Sequence, residues 1–282
     1  MENVTATAPR LLDDARPSRR GRYLMCPPAF FGVEYRINPW MDPARPVERG
    51  RAAAQWQAVV DAYATAGDEV VMVQPVPGLP DMVFTANAGI VAGGRVLRSR
   101  FRHPERAGEE AAFDAAFRAL GFADVTPASH VNEGEGDYLR AGDLVLAGSG
   151  FRTDPRAHDE VAEFVGVPVV ALELVDERFY HLDTALAVLD DDLVAYWPPA
   201  FSRRSAGVLK DMFPEAVVAT EEDAVAFGLN ATSDGRVVVL SGAATGLAAR
   251  LRERGFTTVG VDTSELQKAG GSVKCCTLEL RC

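Results

Sequence analysis

Short apolar runs, each broken by a tight turn of Gly and Asp, recur along the chain. They are VFTANAGIV-AGG-RVLRS from Val83, YLR-AGD-LVLAG from Tyr138, TALAVL-DDD-LVAYW from Thr184 and LNAT-SDG-RVVVL from Leu229. Each reads as a β-hairpin, because the apolar runs flank residues that accept the backbone angles of a two- to three-residue turn. The turns centre near Gly94, Asp143, Asp191 and Gly235, which are 49, 48 and 44 residues apart. Between them lie PERAGEEAAFDAAFRALG, DPRAHDEVAEFVG and TGLAARLRERG, rich in Ala, Glu and Arg and each closing on a Gly that can end a helix. A longer helical stretch, ARPVERGRAAAQWQAVVDAYATAG, precedes the extended EVVMVQP. VKCCTLEL, Val273 to Leu280, predicts a final strand, and RYLMC near Tyr23 to Cys26 predicts the strand that pairs with it.

The pattern therefore predicts an α/β chain of about five units of hairpin, helix and strand. If the first and last strands join, no capping repeats are needed and the units close into a ring, with a functional site assembled from several units at its centre. The competing expectation is an open α/β sheet in which the even spacing is chance. Length agrees with one large domain: 282 residues can bury a sizeable core. Residues 1–21 carry acids and arginines without an apolar segment, so they are expected as a flexible tail before a single domain of residues 22–282.

Charge narrows the function. Twenty-nine basic residues against 40 acidic ones leave a net charge of −11, which argues against a chain-wide affinity for nucleic acid or anionic membranes. The cysteines, Cys26, Cys275, Cys276 and Cys282, resemble neither a disulfide framework nor spaced metal-binding pairs, and the expected home is the cytoplasm. No segment has 18 uninterrupted apolar residues, so no membrane partner is expected.

If VKCCTLEL is a strand, Cys275, Thr277 and Glu279 share its more polar face and Cys276 the packed one. Cys276 then reads as a small buried hydrophobe, while a nucleophilic role for Cys275 stays open, since a free thiol needs help to ionise. Adjacent cysteines on opposite faces disfavour zinc. Of the histidines, His158 lies in an Ala/Glu helix and reads as solvated. His181, in FYHLDTALAVL, is expected to open a strand with Asp183 pointing the same way, a costly polar pair in an apolar run. The turn Asn132 to Asp137 reads equally as an acidic surface loop or as part of a site.

Taken together, PDMVFTAN (Pro80 to Asn87), NEGEGD (Asn132 to Asp137), FYHLDT (Phe179 to Thr184), LNATSDG (Leu229 to Gly235) and GGSVKCC (Gly270 to Cys276) resemble the guanidino-group-modifying superfamily, the penteins. Closest are its dimethylarginine dimethylaminohydrolases and arginine deiminase-like hydrolases. The resemblance covers roughly Arg22 to the C-terminus and implies a five-bladed α/β propeller. It implies Cys275 as nucleophile on a guanidinium carbon and His181 as proton donor and then base. Glu133 would hold the guanidinium and orient the histidine, with Glu135 or Asp137 as sharers of that role. Asp81 and Asp183 would bind substrate nitrogens, and Arg152, with Arg102 as a second, the substrate α-carboxylate. Asn38 and Asn87 also match substrate-binding positions. No cofactor or metal is implied, the partner is a small guanidino compound, and the chain would act as a monomer or homodimer.

The substrate is less determined. The mammalian dimethylarginine type has a Glu-Asp pair where this chain has Ala86 and Asn87, whereas VEYRINPWMDP and F-T-A-N look similar to arginine dihydrolases. Hydrolysis of Nω-methylated arginine is the first expectation. Arginine deiminase or dihydrolase activity, an amidinotransferase, and a catalytically silent arginine-binding ring are the rivals.

Overall fold

The computed structural model describes residues 16–281. Five three-stranded sheets carry the chain, and all five have one construction. Gly89–Ala92 runs antiparallel to Arg95–Arg98, which lies parallel to Val125–Pro127. Tyr138–Ala141, Leu144–Ser149 and Val169–Glu173 repeat the arrangement, as do Leu186–Asp190, Leu193–Tyr196 and Val217–Val218. Thr232–Ser233, Val237–Ser241 and Thr257–Val261 form the fourth. The fifth joins the two ends of the chain: Leu278–Glu279 pairs antiparallel with Arg22–Met25, which lies parallel to Glu69–Met72.

A parallel neighbour needs a crossover long enough to return the chain to the same edge. Helices supply it in every unit: Arg49–Ala66, Ala107–Ala119, Ala157–Val165, Arg203–Met212 and Thr245–Glu253. The first ends at Gly67 with φ 95°, a left-handed conformation that suits Gly, and its N–H reaches back to the Tyr63 carbonyl. Burial follows the helical period: Ala52, Trp56, Val59, Val60 and Tyr63 pack with Val237, Val239 and Val261 of the next sheet. Phe113 and Phe117, one turn apart, do the same for the helix Ala107–Ala119.

Three expectations change, and one left open is decided. Of VKCCTLEL only Leu278–Glu279 is a strand; Val273 to Cys276 turn instead, with the Cys276 N–H on Ser272 O and the Thr277 N–H on Lys274 O. Asn230 takes the Ser272 and Cys275 N–H groups, so the segment's hydrogen bonds go to a side chain rather than a sheet. His181 caps the short helix Leu182–Ala185 rather than opening a strand, because the Leu182 N–H is drawn to Asp137 Oδ1 at 3.1 Å. His158 is buried, edge-on to Tyr138 at 5.8 Å, where its helix faces the core. The acidic turn is buried too, a 3₁₀ helix at Gly134–Gly136. Its Gly134 has φ 56°, and a Cβ there would lie 2.6 Å from the Gly89 carbonyl oxygen.

Of the stretch expected as a tail, residues 1–15 lie outside the described residues, as does Cys282. The remainder is docked: Arg16 pairs with Asp190, and Arg19 with Asp190 and Asp191. No helix among the described residues is long and apolar enough to cross a membrane.

Candidate active site

The turn that replaces the expected last strand presents Cys275. Its Sγ receives a hydrogen bond from Asn230 Nδ2 at 3.0 Å and faces Asp183 Oδ2 at 3.2 Å. Burial pushes the thiol well above its ordinary pKa, and the Asp183 carboxylate against it pushes further. Asp183 itself, fully buried, is pushed up to about 7 by desolvation, against the lowering effect of its contact with Cys275. Burial thus disfavours the ionised form of both partners. Alkylation of Cys275 by iodoacetamide, followed by peptide mass spectrometry, is accordingly expected to be slow at pH 7.5 and still rising past pH 9. Asp183→Asn removes the negative neighbour and should speed the reaction at pH 8 several-fold, up to about tenfold, since each unit of pKa is a factor of ten in thiolate. An unchanged rate would mean that no charge presses on the sulfur.

His181 sits on the second wall. Its Nε2 lies 2.8 Å from Glu133 Oε2, and the same oxygen accepts from Arg152 Nη1 at 2.8 Å. Burial alone would raise the Glu133 pKa, but the Arg152 cation and the His181 hydrogen bond hold it well below the ordinary carboxylate value. Glu133 is therefore an ion at any working pH. Arg152 also donates to the Ile37 carbonyl at 3.0 Å and stacks on Tyr180, 4.5 Å from the ring centre.

The acidic turn divides its duties. Glu135 points away from His181, to Lys274 Nζ at 2.6 Å. Asp137 accepts from Thr153 Oγ1 at 2.7 Å and from the Leu182 N–H, which anchors the start of the histidine helix. Of the three acids only Glu133 has a hydrogen bond to His181. Lys274 also marks a boundary: it lines a cavity of about 580 Å³ in which none of the candidate site residues takes part. That cavity holds no part of this chemistry.

Asp81 forms the third wall. Its Oδ2 accepts from Tyr35 OH at 2.7 Å, and burial raises its pKa against the lowering influence of Arg106. Asn87 is held at both ends, its Oδ1 by Arg106 Nη1 at 2.8 Å and its Nδ2 on the Glu133 carbonyl at 3.1 Å. Asn38 is buried but bonds to the Ala269 carbonyl and the Trp40 N–H, so it shapes the loop before Gly270. The Arg102 side chain is exposed, and its backbone N–H donates to Glu133 Oε1 at 3.2 Å. Arg102 thus lies at the rim, whereas Asp81, Asp183, Arg152 and Cys275 all bear electrostatically on the Tyr180 phenol.

Three buried polar atoms of this group have no partner: Asp81 Oδ1, Asp183 Oδ1 and His181 Nδ1. An unsatisfied buried acceptor costs about 1–3 kcal/mol, so two carboxylate oxygens left so, one of them on the carboxylate that faces the thiol, call for a ligand rich in N–H donors. Among the described residues, no group of three or more His, Cys, Asp or Glu side chains could hold a metal ion.

Two residues escaped the sequence. Arg106 is fully buried, paired to Glu109 at 2.8 Å and touching both Asn87 and the Asp81 carbonyl. In PERAGEE nothing marks it. Asn230 stands inside the LNATSDG motif, a polar residue in an apolar run, and that was the available signal.

Residues 38–282 match the family described as N,N dimethylarginine dimethylhydrolase, eukaryotic. The chain is 55% identical over 281 residues to the N(G),N(G)-dimethylarginine dimethylaminohydrolase of Mycobacterium tuberculosis, a match spanning 99% of this chain and 93% of that protein. The crystal structure of the N-terminal domain of ArgZ, an arginine dihydrolase of cyanobacteria, in a cysteine-to-serine variant bound to substrate, aligns with a TM-score of 0.88. That pair is 38% identical and covers 93% of this chain and 98% of the other. A DDAH from Pseudomonas aeruginosa complexed with citrulline shares the fold, with a TM-score of 0.76 at 19% identity over 92% of this chain and 99% of the other.

Proposed function

The chain belongs to the N,N-dimethylarginine dimethylhydrolase family, and on that premise we propose that it hydrolyses Nω-methylated arginine to citrulline and a methylamine through Cys275. The observation that carries the reading is the pair of unpartnered carboxylate oxygens on Asp81 and Asp183, with the Cys275 sulfur against the latter. A guanidinium is a planar cation whose several N–H groups fit such oxygens, and no neutral ligand answers both the charge and the donor count as well.

In the proposed reaction the bound cation lowers the thiol pKa, and the Cys275 proton passes to Asp183 Oδ2, its hydrogen-bond acceptor. The thiolate adds to the guanidinium carbon. His181, protonated and held by Glu133, gives a proton to the methylated nitrogen as the C–N bond breaks, and the methylamine leaves. A thiouronium on Cys275 remains. His181, now neutral, takes a proton from water as the oxygen adds to the same carbon. The C–S bond then breaks, Asp183 returns its proton to the sulfur, the hydroxyl proton goes to solvent, and citrulline departs. Arg152, whose guanidinium bonds to Glu133 and Ile37 through two nitrogens, keeps further N–H groups for the substrate α-carboxylate, with Arg102 at the rim as a second.

The five sheets are read as blades of an α/β propeller around a central channel, supported by the cavity near Lys274, whose walls come from four of them. The enzyme is proposed to work in the cytoplasm as a monomer or homodimer.

A second reading, arginine dihydrolase, is favoured by Asn87, an amide where the mammalian type has a carboxylate, and by the likeness to the ArgZ domain. Incubating purified protein separately with Nω,Nω-dimethylarginine and with arginine, then identifying products by mass spectrometry, tests both. Citrulline and dimethylamine from the first substrate are expected. Ornithine and ammonia from arginine would overturn the first reading, and turnover of neither would favour a ring that only binds.

A further inference from the structure

We propose that Asn230 is a catalytic residue of this site, the neutral hydrogen-bond donor that holds negative charge on the Cys275 sulfur. The inference rests on the reading of Cys275 as nucleophile and adds a residue to it. Asn230 is fully buried, at 0% exposure, and its amide orientation is dictated by its partners. Oδ1 accepts the N–H groups of Ser272 and Cys275, at 3.0 and 3.1 Å, so the other end must be the NH₂. One N–H of that group points to the Asp183 carbonyl oxygen at 3.0 Å and the other to Sγ at 3.0 Å. All of its hydrogen-bonding capacity is used, and all of it within the nucleophile's turn and the residue that faces the sulfur.

Charge explains why an amide stands here. The sulfur must be negative twice, when it attacks and when it is expelled from the intermediate. Its other side-chain neighbour, Asp183, opposes that state. A cationic donor would relieve the sulfur but repel the guanidinium that has to approach it. A neutral amide stabilises the thiolate by its dipole and leaves the substrate's charge unopposed, the logic of a preorganised oxyanion donor applied to sulfur. Because the same amide grips the Asp183 backbone, nucleophile and proton acceptor keep one mutual geometry.

Asn230→Asp keeps the shape and the acceptors for the two backbone N–H groups and removes the donor; Asn230→Ala removes the whole side chain. For both we expect kcat to fall about 10²-fold with KM changed less than about threefold, the range seen when one preorganised donor is lost. The pH profile of iodoacetamide reaction at Cys275, read with thiolate absorbance near 240 nm, should move up by about one unit or more. A residue that only braced the fold would lower Tm without moving that profile. In intact enzyme labelled with ¹⁵N-asparagine, one side-chain NH₂ resonance should shift as the Cys275 thiol titrates and stay still in Cys275→Ala, a readout that needs no Asn230 variant to fold. Superimposable profiles in a folded variant, or no asparagine amide that follows the thiol, would overturn the assignment. If Cys275→Ser kept full turnover, the nucleophile reading itself would fall; if Cys275→Ser were dead and the Asn230 variants normal, only this inference would.

Discussion

Cys275→Ser is expected to abolish turnover, by about 10⁴-fold or more, while its neighbour Cys276→Ser keeps most of it. Both cysteines are buried, at 2% and 0% exposure, so burial does not tell them apart; their partners do. The Cys275 sulfur meets Asn230 and Asp183, a donor and a proton acceptor, at the edge of a group of unpartnered acceptors. Both cysteines belong to one apolar cluster with Tyr63, Leu266 and Val273, but the Cys276 sulfur has none of those polar partners, and burial pushes its thiol pKa far up. Serine there buries a hydroxyl among hydrocarbon, at a cost of about 1–3 kcal/mol, so Cys276→Ser should melt several degrees lower yet turn over substrate near the normal rate. Steady-state rates of the two variants, with thermal melts alongside, make the comparison. An active Cys275→Ser with a silent Cys276→Ser would exchange the two assignments.

His181→Ala should lower kcat by about 10²–10⁴-fold, the usual worth of a positioned general acid and base. Glu133→Gln should lower it by a comparable amount through a different route, because Glu133 orients the imidazole at 2.8 Å. It should also cost stability. Removing the carboxylate leaves Arg152, 3% exposed, buried without its counter-charge, a defect worth about 3–5 kcal/mol. The pH dependence follows from the sign of the shift. Glu133 is held well below the ordinary 4.5, so the stability it contributes is fully present above that pH and is lost as pH falls through the lower folded value. The gap in Tm between wild type and Glu133→Gln should therefore be constant from neutral pH to about pH 5 and close only below pH 4.5. A gap that closed near neutrality would mean that Glu133 is not the paired ion described.

Much of the fold was written in local pattern. The hairpin turns at Gly94, Asp143, Asp191 and Gly235 and the helix-ending glycines Gly67 and Gly166 act within a few residues, so sequence alone located them. The joining of Arg22–Met25 to Leu278–Glu279 was also legible, since two apolar strands were left over at the chain's ends. The alternation that set Cys275 on a polar face was not the reason it lies in the site. Val273, Cys275 and Cys276 make this stretch look like a strand because they are apolar and β-branched or small. They turn because Asn230, 45 residues from Cys275, takes the N–H groups a sheet would have used.

The same division runs through the candidate site. Sequence determined the inventory: a cysteine, a histidine and three acids in motifs of recognisable order, with Arg152 and Asn87 among them. Only the tertiary structure decided their duties, because duty here is a matter of which neighbour satisfies which buried group. Glu133, Glu135 and Asp137 stand in one turn and read alike. The fold sends the first to His181 and Arg152, the second to Lys274 and the third to the backbone of Leu182. Arg106 carries no mark in the sequence, yet a core closes over it, while Arg102, a substrate-ligand candidate, keeps an exposed side chain and gives Glu133 its backbone N–H. A pattern of residues records what each can bond to. Burial in a common space, where every unpaired donor or acceptor carries a cost, settles what it does bond to, and that depends on chain segments far apart in sequence.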